Sequence, residues 1–391
     1  MTPMVFHAID FSASQVGSGL AVSALVGTVV RLISGALLDR GLRCSWPIRA
    51  TTVLAIIADL ILFRAQSYSQ FVVGEILLGS AAGLYWPAIE LAVPLSCGSV
   101  SSGRGYALVR SADALGFGIG ALLGTAAAAA GTLRLVYAVE ALCMLSVLVL
   151  TSLFPLLDNR TVQPSRERQR QDHQANFGWL LPLLPVLGIS IAATAILSLE
   201  QSALPIDLVR GGLQRPGLSE SGSAALIALQ LTLLVLLQWP VGRWLADRSV
   251  GFGLGLSLAC FSLACCLFSL SSLTSAGMWL IIVALLPMAL AQAAFLPTAT
   301  EAVIEETPLA HRGLAMALFS QCFALSAVVA PLLGGSILDG QGHGLLLWAV
   351  MAVVCLAMLP TASQLRPRFA PLGGGKQLVD AVTGNPDPVR S

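Results

Sequence analysis

The chain has 391 residues, 56% of them hydrophobic and only 10% charged, with a formal net charge of +1 and a mean hydropathy of +0.83. A soluble domain carries roughly 25% charged residues, so this chain cannot cover itself with a polar surface in water and is expected to be a polytopic membrane protein. Its near-neutral balance excludes an electrostatic fit to nucleic acid or to an acidic partner.

In chain order, residues 1–15 lack a positive n-region and a small-residue cleavage site, so no signal peptide is expected. Crossing a bilayer takes roughly 20 apolar residues in a helix. About eleven such segments follow, at 16–38, 49–66, 70–92, 106–129, 133–154, 179–200, 221–245, 250–271, 277–299, 314–337 and 344–362. Between the fifth and sixth lies "DNRTVQPSRERQRQDHQANF", Asp158 to Phe177, a polar stretch with no apolar period that reads as a linker. After Gln364 the chain turns rich in Gly, Pro and charge, and a disordered tail is expected. The eight cysteines lie mostly inside apolar runs with no C-x-x-C spacing, which reads as small buried apolar residues rather than a disulfide or metal framework.

The arginines set the orientation. One set of loops carries Arg40, Arg43, Arg49, Arg104, Arg160, Arg166, Arg168, Arg170, Arg243, Arg248, Arg312, Arg366, Arg368 and Lys376. The alternate loops hold Arg64, Arg134, Arg210 and Arg215. The bias places the first set in the cytoplasm, with the N-terminus outside and the C-terminus inside. Trp46, Trp179, Trp244, Trp279 and Trp348 fall near span ends, where indoles favour the membrane interface.

The two halves repeat. Asp39-Arg40 aligns with Asp247-Arg248, and at the same spacing "RGYALVRS" from Arg104 aligns with "RGLAMALFS" from Arg312. "ALLG" ending at Gly124 and "PLLGG" at Gly334, and "WPAIE" at Trp86 and "LPTATE" at Leu296, fall within a few residues of that register. Landmarks in register predict a parallel repeat of two six-helix bundles. The expected organisation is an N-terminal bundle at 1–157, a cytoplasmic linker at 158–178, a C-terminal bundle at 179–363 and a tail at 364–391. The register also assigns the partner of the 179–200 span to a position before Met1, so the first bundle lacks its first helix in this sequence. Two explanations stand: a start codon assigned too late, or a chain of about eleven spans.

The chain resembles a major facilitator superfamily transporter over about residues 12–363. The motif that carries the resemblance is G-x-x-x-D-R-x-G-R between the family's second and third helices. It stands here as Gly35, Asp39, Arg40 and Arg43, with Leu42 where Gly is usual and Gly41 one position early. A looser copy reads Gly242, Asp247, Arg248. The resemblance implies two bundles that rock about a central cavity and latch at the cytoplasmic face. In that scheme Asp39 faces the positive N-terminus of the helix starting near Gly313, and Arg40 and Arg43 reach carboxylates such as Glu90. Asp247 and Arg248 would pair with Glu301 or Glu305 and with the helix beginning near Arg104. Gly116, Gly118, Gly120 and Gly124, and Pro331 with Gly334 and Gly335, read as interbundle packing positions. They resemble the family's G-P-x-x-G-G antiporter motif, although the first stretch lacks the Pro. Glu75 also stands where the family's fourth helix usually carries Arg.

Ionisable groups inside spans are costly and are functional candidates by default. Arg31 and Asp59 sit at similar depths and are as readily a structural pair as a functional one. Glu75 with Arg64, and Asp113 with Arg110, are expected partners. Glu140 has no obvious partner and is placed near the outer interface. Glu200, at the end of the 179–200 span beside Gln201, is the first candidate for a proton or cation, against the reading of an interfacial helix-end glutamate. Trp86, Gln230 and Gln292 are candidates for hydrogen bonding or stacking with a substrate, against packing roles.

No catalytic set, phosphate loop or metal motif occurs, so neither an enzyme nor a cofactor is expected. The expected function is secondary active transport of a small molecule by alternating access, coupled to a proton and exporting a neutral, cationic or amphipathic compound. A lipid flippase and a non-transporting membrane protein (a sensor or an assembly factor) are the alternatives. The expected partners are the substrate, membrane lipid and a proton, and the expected location is a bacterial inner membrane.

Overall fold

Eleven α-helices, each long and apolar enough to cross a membrane, make up the computed structural model, which describes residues 13–98, 100–132, 134–156 and 177–365. They are α1 (Ala13–Asp39), α2 (Ser45–Arg64), α3 (Tyr68–Ser96), α4 (Ser102–Ala129), α5 (Leu135–Leu153), α6 (Leu180–Arg210), α7 (Glu220–Leu245), α8 (Val250–Ser271), α9 (Gly277–Glu306), α10 (Arg312–Gln341) and α11 (Leu345–Ser363). Short 3-10 turns, Phe177–Trp179 and Leu309–His311, lead into α6 and α10. No strand occurs among the described residues. The linker stretch 158–176 and the tail beyond 365 lie outside them.

Local sequence sets the ends. Ser67 and Gln70 form a capping box at the start of α3, and Ser219 and Ser249 cap α7 and α8 by accepting from main-chain N–H groups. Gly41 ends α1 with φ +97°, a left-handed turn that favours glycine, which accounts for its place one position ahead of the motif. Two helices run furthest past their expected ends. α6 continues to Arg210 through Pro205, and α9 continues to Glu306 through Pro297. Proline is tolerated within membrane helices where neighbouring groups satisfy the freed backbone. Glu200 therefore stands inside a helix rather than at its end, a correction to the sequence reading.

The helices pack as two groups. In the first, α3 lies between α1 and α2, and α5 lies on the other side of α2. In the second, α8 lies between α9 and α11, α6 packs on α10 and α11, and α7 packs on α9. Fully buried Phe261, Phe268, Phe295, Met288 and Trp348 fill the second group. Exposed Leu25, Leu122, Leu142, Leu184, Leu263 and Val353 form an outer apolar belt suited to lipid. Across the groups, α1 packs on α10 and α4 packs on α7. These contacts exchange under the sequence repeat, in which α1 matches α7 and α4 matches α10, as a pseudo-twofold relation requires.

Candidate functional site

At one end of the molecule the groups are clasped by main chain. Asp39, the last residue of α1, accepts hydrogen bonds from Gly313 N (2.6 Å) and Leu314 N (2.9 Å). α10 begins at Arg312, so these are first-turn N–H groups with no partner inside their helix, at the positive end of its dipole. The approach needs glycine on both sides. A Cβ on Gly35 would stand 2.6 Å from Gly313 O, and a Cβ on Gly313 would stand 2.5 Å from Gly35 O.

The second copy of the motif keeps the crossing and changes the chemistry. A Cβ on Gly242 would stand 2.8 Å from Ala107 Cβ, so α7 and α4 also meet closely. Asp247, however, takes two hydrogen bonds from the Arg104 guanidinium, at 3.1 and 3.0 Å, rather than from helix N–H groups. That pair is largely exposed and is worth roughly 0–1 kcal/mol. Arg248 does not reach Glu301 or Glu305. It lies over the rings of Trp244 (5.2 Å) and Phe252 (5.8 Å), a cation–π arrangement. Glu301 instead accepts from Ser102 Oγ across the groups at 2.5 Å.

Between the clasps lies a buried network only partly foreseen. Arg110 on α4 pairs with Glu90 on α3, bonds Asp113 at 3.0 Å and reaches Thr300 Oγ1 on α9 at 3.3 Å. Tyr106 donates to Glu90 O at 2.8 Å. Arg40 and Arg43 are exposed and form no ion pair among the described residues, so their expected pairing with Glu90 is corrected. Glu90 lies six residues before the end of α3, roughly 9 Å below that loop, and the buried Arg110 already holds it. The signal for this network was an arginine inside an apolar span.

Further in, Arg31 on α1 donates to Ser320 O and Gln321 Oε1, both at 3.4 Å, and Gln321 Nε2 donates to Thr28 O at 3.0 Å. Arg31 and Asp59 do not pair despite their matching depths, because α3 stands between α1 and α2. Glu75 does not meet Arg64 either. Glu75 is buried seven residues into α3, while Arg64 is exposed at the end of α2.

Glu200 on α6 accepts from Gln292 Nε2 on α9, which brings those two candidates together. Gln201 is exposed, and Trp86 stands edge-on to Tyr85 at 5.4 Å. Gln230 is buried against α9, and with its amide oxygen and nitrogen exchanged it donates to Leu285 O (2.8 Å) and accepts from Ala289 N (3.2 Å).

The glycine expectations also change. A Cβ on Gly116, Gly120 or Gly335 would meet open space, and Gly124 is buried. Gly334 packs on Leu199 and Ala203 of α6 inside the second group, on the helix that carries Pro331. The close interbundle crossings belong to Gly35, Gly313 and Gly242.

At the opposite end the sequence reading missed a fully buried ion pair. Asp207 meets Arg215 at 3.3 Å, accepts from Gly344 N (2.8 Å) and from Trp348 Nε1 (3.1 Å), while Arg215 donates to Ser271 Oγ (2.7 Å). Trp348 is thus a buried donor, not an interfacial anchor.

The arrangement can close one face of a two-part helical body and hold polar groups along its midline. A family model, the Major Facilitator Superfamily, matches residues 1–206 and 187–379. No curated protein sequence matches the chain. Among solved structures, a crystal structure of the fucose:proton symporter FucP of E. coli is similar with a TM-score of 0.69 at 15% identity, covering 90% of this chain and 91% of that one. A second structure, a Major Facilitator Superfamily transporter FucP in the outward conformation, is similar with a TM-score of 0.69 at 15% identity and 91% of each chain covered. At that identity the likeness is one of fold.

Proposed function

Because the chain belongs to the Major Facilitator Superfamily, we propose that it is a secondary active transporter that moves a small molecule by alternating access, with the Asp39 end at the cytoplasmic face. The observation that carries this reading is the carboxylate of Asp39 seated on the Gly313 and Leu314 N–H groups. Such a joint can be broken and remade without disturbing either bundle's core. The arginine-rich loops at the same end support a cytoplasmic placement, with the C-terminus inside.

The coupling ion is a proton, and Glu200 is its carrier in the cavity. A carboxyl held by a neutral Gln292 amide, with no cation paired to it among the described residues, can exchange a proton while keeping a hydrogen bond. The cargo is neutral, cationic or amphipathic, since the midline offers amides, hydroxyls and the Glu200 carboxyl and no lysine, and Arg31 there is engaged by Ser320 O and Gln321 Oε1. The test is counterflow in proteoliposomes under an imposed pH gradient, with a panel of such compounds and with Glu200→Gln. Gradient-driven movement that survives as uncoupled counterflow in Glu200→Gln supports the assignment. Unchanged gradient-driven accumulation by Glu200→Gln rejects it.

A further inference from the structure

Asp59 on α2 is 1% exposed, and neither oxygen of its carboxylate has a hydrogen-bond partner among the described residues. Glu75 on α3 is 3% exposed with Oε1 unpartnered. Contacts that fix the register of the first bundle bring them level. Thr51 Oγ1 donates to Ala81 O at 2.9 Å, and Leu62 packs against Gly74, so the antiparallel α2 and α3 place Asp59 opposite Glu75. On the other flank, Arg134 donates to Phe63 O and Ala65 O, and Arg49 donates to Thr151 O, so α2 and α5 place Glu140 at the height of Asp59. Glu140 acts electrostatically on both Asp59 and Glu75.

The groups facing this spot from every packed helix are few. α3 offers Glu75, α5 offers Glu140, and α1 offers Ser23, whose hydroxyl donates to Glu75 O at 2.8 Å. Arg134 is held on the carbonyls that end α2, and Arg64 is exposed. Leu62, Ala65, Phe71 and Tyr137 form an apolar plug on the Arg134 side. Glu140 lies on the flank of α5, six residues past Arg134. Neither α2 nor α5 shares a packed face with the second bundle, so the spot lies away from the Glu200–Gln292 pair.

A buried carboxylate with no positive neighbour is strongly disfavoured until bound positive charge neutralises it. A metal ion does not suit these positions, because no set of three His, Cys, Asp or Glu side chains among the described residues is placed to hold one. We propose that Asp59 and Glu75, with Glu140 at their level, form a second proton-binding site inside the first bundle, independent of the cavity carboxyl. Proton binding there forms an O–H bond, and no other bond forms or breaks. The proposal does not rest on Glu200 or on any substrate.

Infrared spectroscopy of the purified full chain in lipid nanodiscs, read at the protonated-carboxyl C=O stretch at neutral pH, tests it. Asp59→Asn is expected to lose a component of that band, Glu75→Gln to weaken it, and Asp59→Glu to restore it at a shifted position. The same component is expected to persist in Glu200→Gln, which separates this site from the cavity carboxyl. Monodisperse elution checks that each variant folds, and Glu75→Gln carries the test alone should Asp59→Asn not fold. A spectrum unchanged in Asp59→Asn and in Glu75→Gln overturns the proposal. Loss of the component on adding sodium at constant pH overturns it in favour of a metal-cation site.

Discussion

Asp39 and Gly313, from opposite halves of the chain, are joined by a 2.6 Å hydrogen bond from a helix N–H to a carboxylate. Hydrogen bonds to charged groups contribute roughly 1.5–3 kcal/mol each. Asp39→Asn keeps the size and removes the charge, and its NH2 faces a second donor, Leu314 N. The clasped form is expected to lose about 2 kcal/mol, a shift of about 30-fold in population. Transport should slow while expression stays near normal. Unchanged transport kinetics would argue against the clasp.

Gly35→Ala tests the same joint by shape. Its Cβ would stand 2.6 Å from Gly313 O and 2.8 Å from Ala317 Cβ. Overpacking of this kind costs roughly 1–3 kcal/mol, here taken from the closed form alone. Crosslinking between cysteines placed on α1 and α10 at the Asp39 end should fall. Gly116→Ala, beside open space, should leave it unchanged.

Arg110→Ala strands Glu90, which is 5% exposed, with no positive partner. Breaking a buried pair from one side costs roughly 3–5 kcal/mol. The double variant Arg110→Met with Glu90→Gln should recover most of the lost thermal stability in detergent. Additive losses would show that the two residues are not coupled.

Two arginines near the other end separate buried from exposed pairing. Arg215→Ala removes the partner of the fully buried Asp207 and should destabilise by about 3–5 kcal/mol. Arg210→Ala breaks an exposed pair with Asp339 and should cost no more than about 1 kcal/mol. Comparable melting shifts for the two would contradict the assignment of Asp207 as the organiser of this end.

Cys97, just past α3, reports on the clasp. Burial first, and then the Glu301 carboxylate, pushes its thiol up from the ordinary value. A raised value leaves less thiolate at neutral pH, and the thiolate is the nucleophile. In a variant keeping Cys97 as the sole cysteine, maleimide labelling should be slow at neutral pH and still climbing above pH 9. Asp39→Asn, by loosening this end, should speed it. Labelling that levels off below that pH would refute the placement against Glu301.

Much of the fold was legible because a bilayer constrains composition and length together. The apolar runs foretold the helices, and the repeated Asp-Arg strings foretold both the two groups and the partnership of Asp39 with the start of α10. Partners across helices were not legible. Arg31 and Asp59 share a depth, yet depth says nothing of which helix lies between, and α3 separates them. Glu90 found Arg110 rather than the nearby loop arginines because Arg40 and Arg43 stay exposed while Arg110 is buried beside it.

By itself, the sequence determined that this chain lives in a membrane, that its halves repeat, and that glycine and aspartate mark the ends where they meet. Hydropathy and local backbone demands act along the chain, so they can be read along it. Only the tertiary structure decided which charges are paired and which are left alone. Each helix turns a residue toward a neighbour every 3.6 positions, and small differences in rotation decide what that residue meets. Such rotations seat Arg110 against Glu90 and leave Asp59 buried with no hydrogen-bond partner among the described residues.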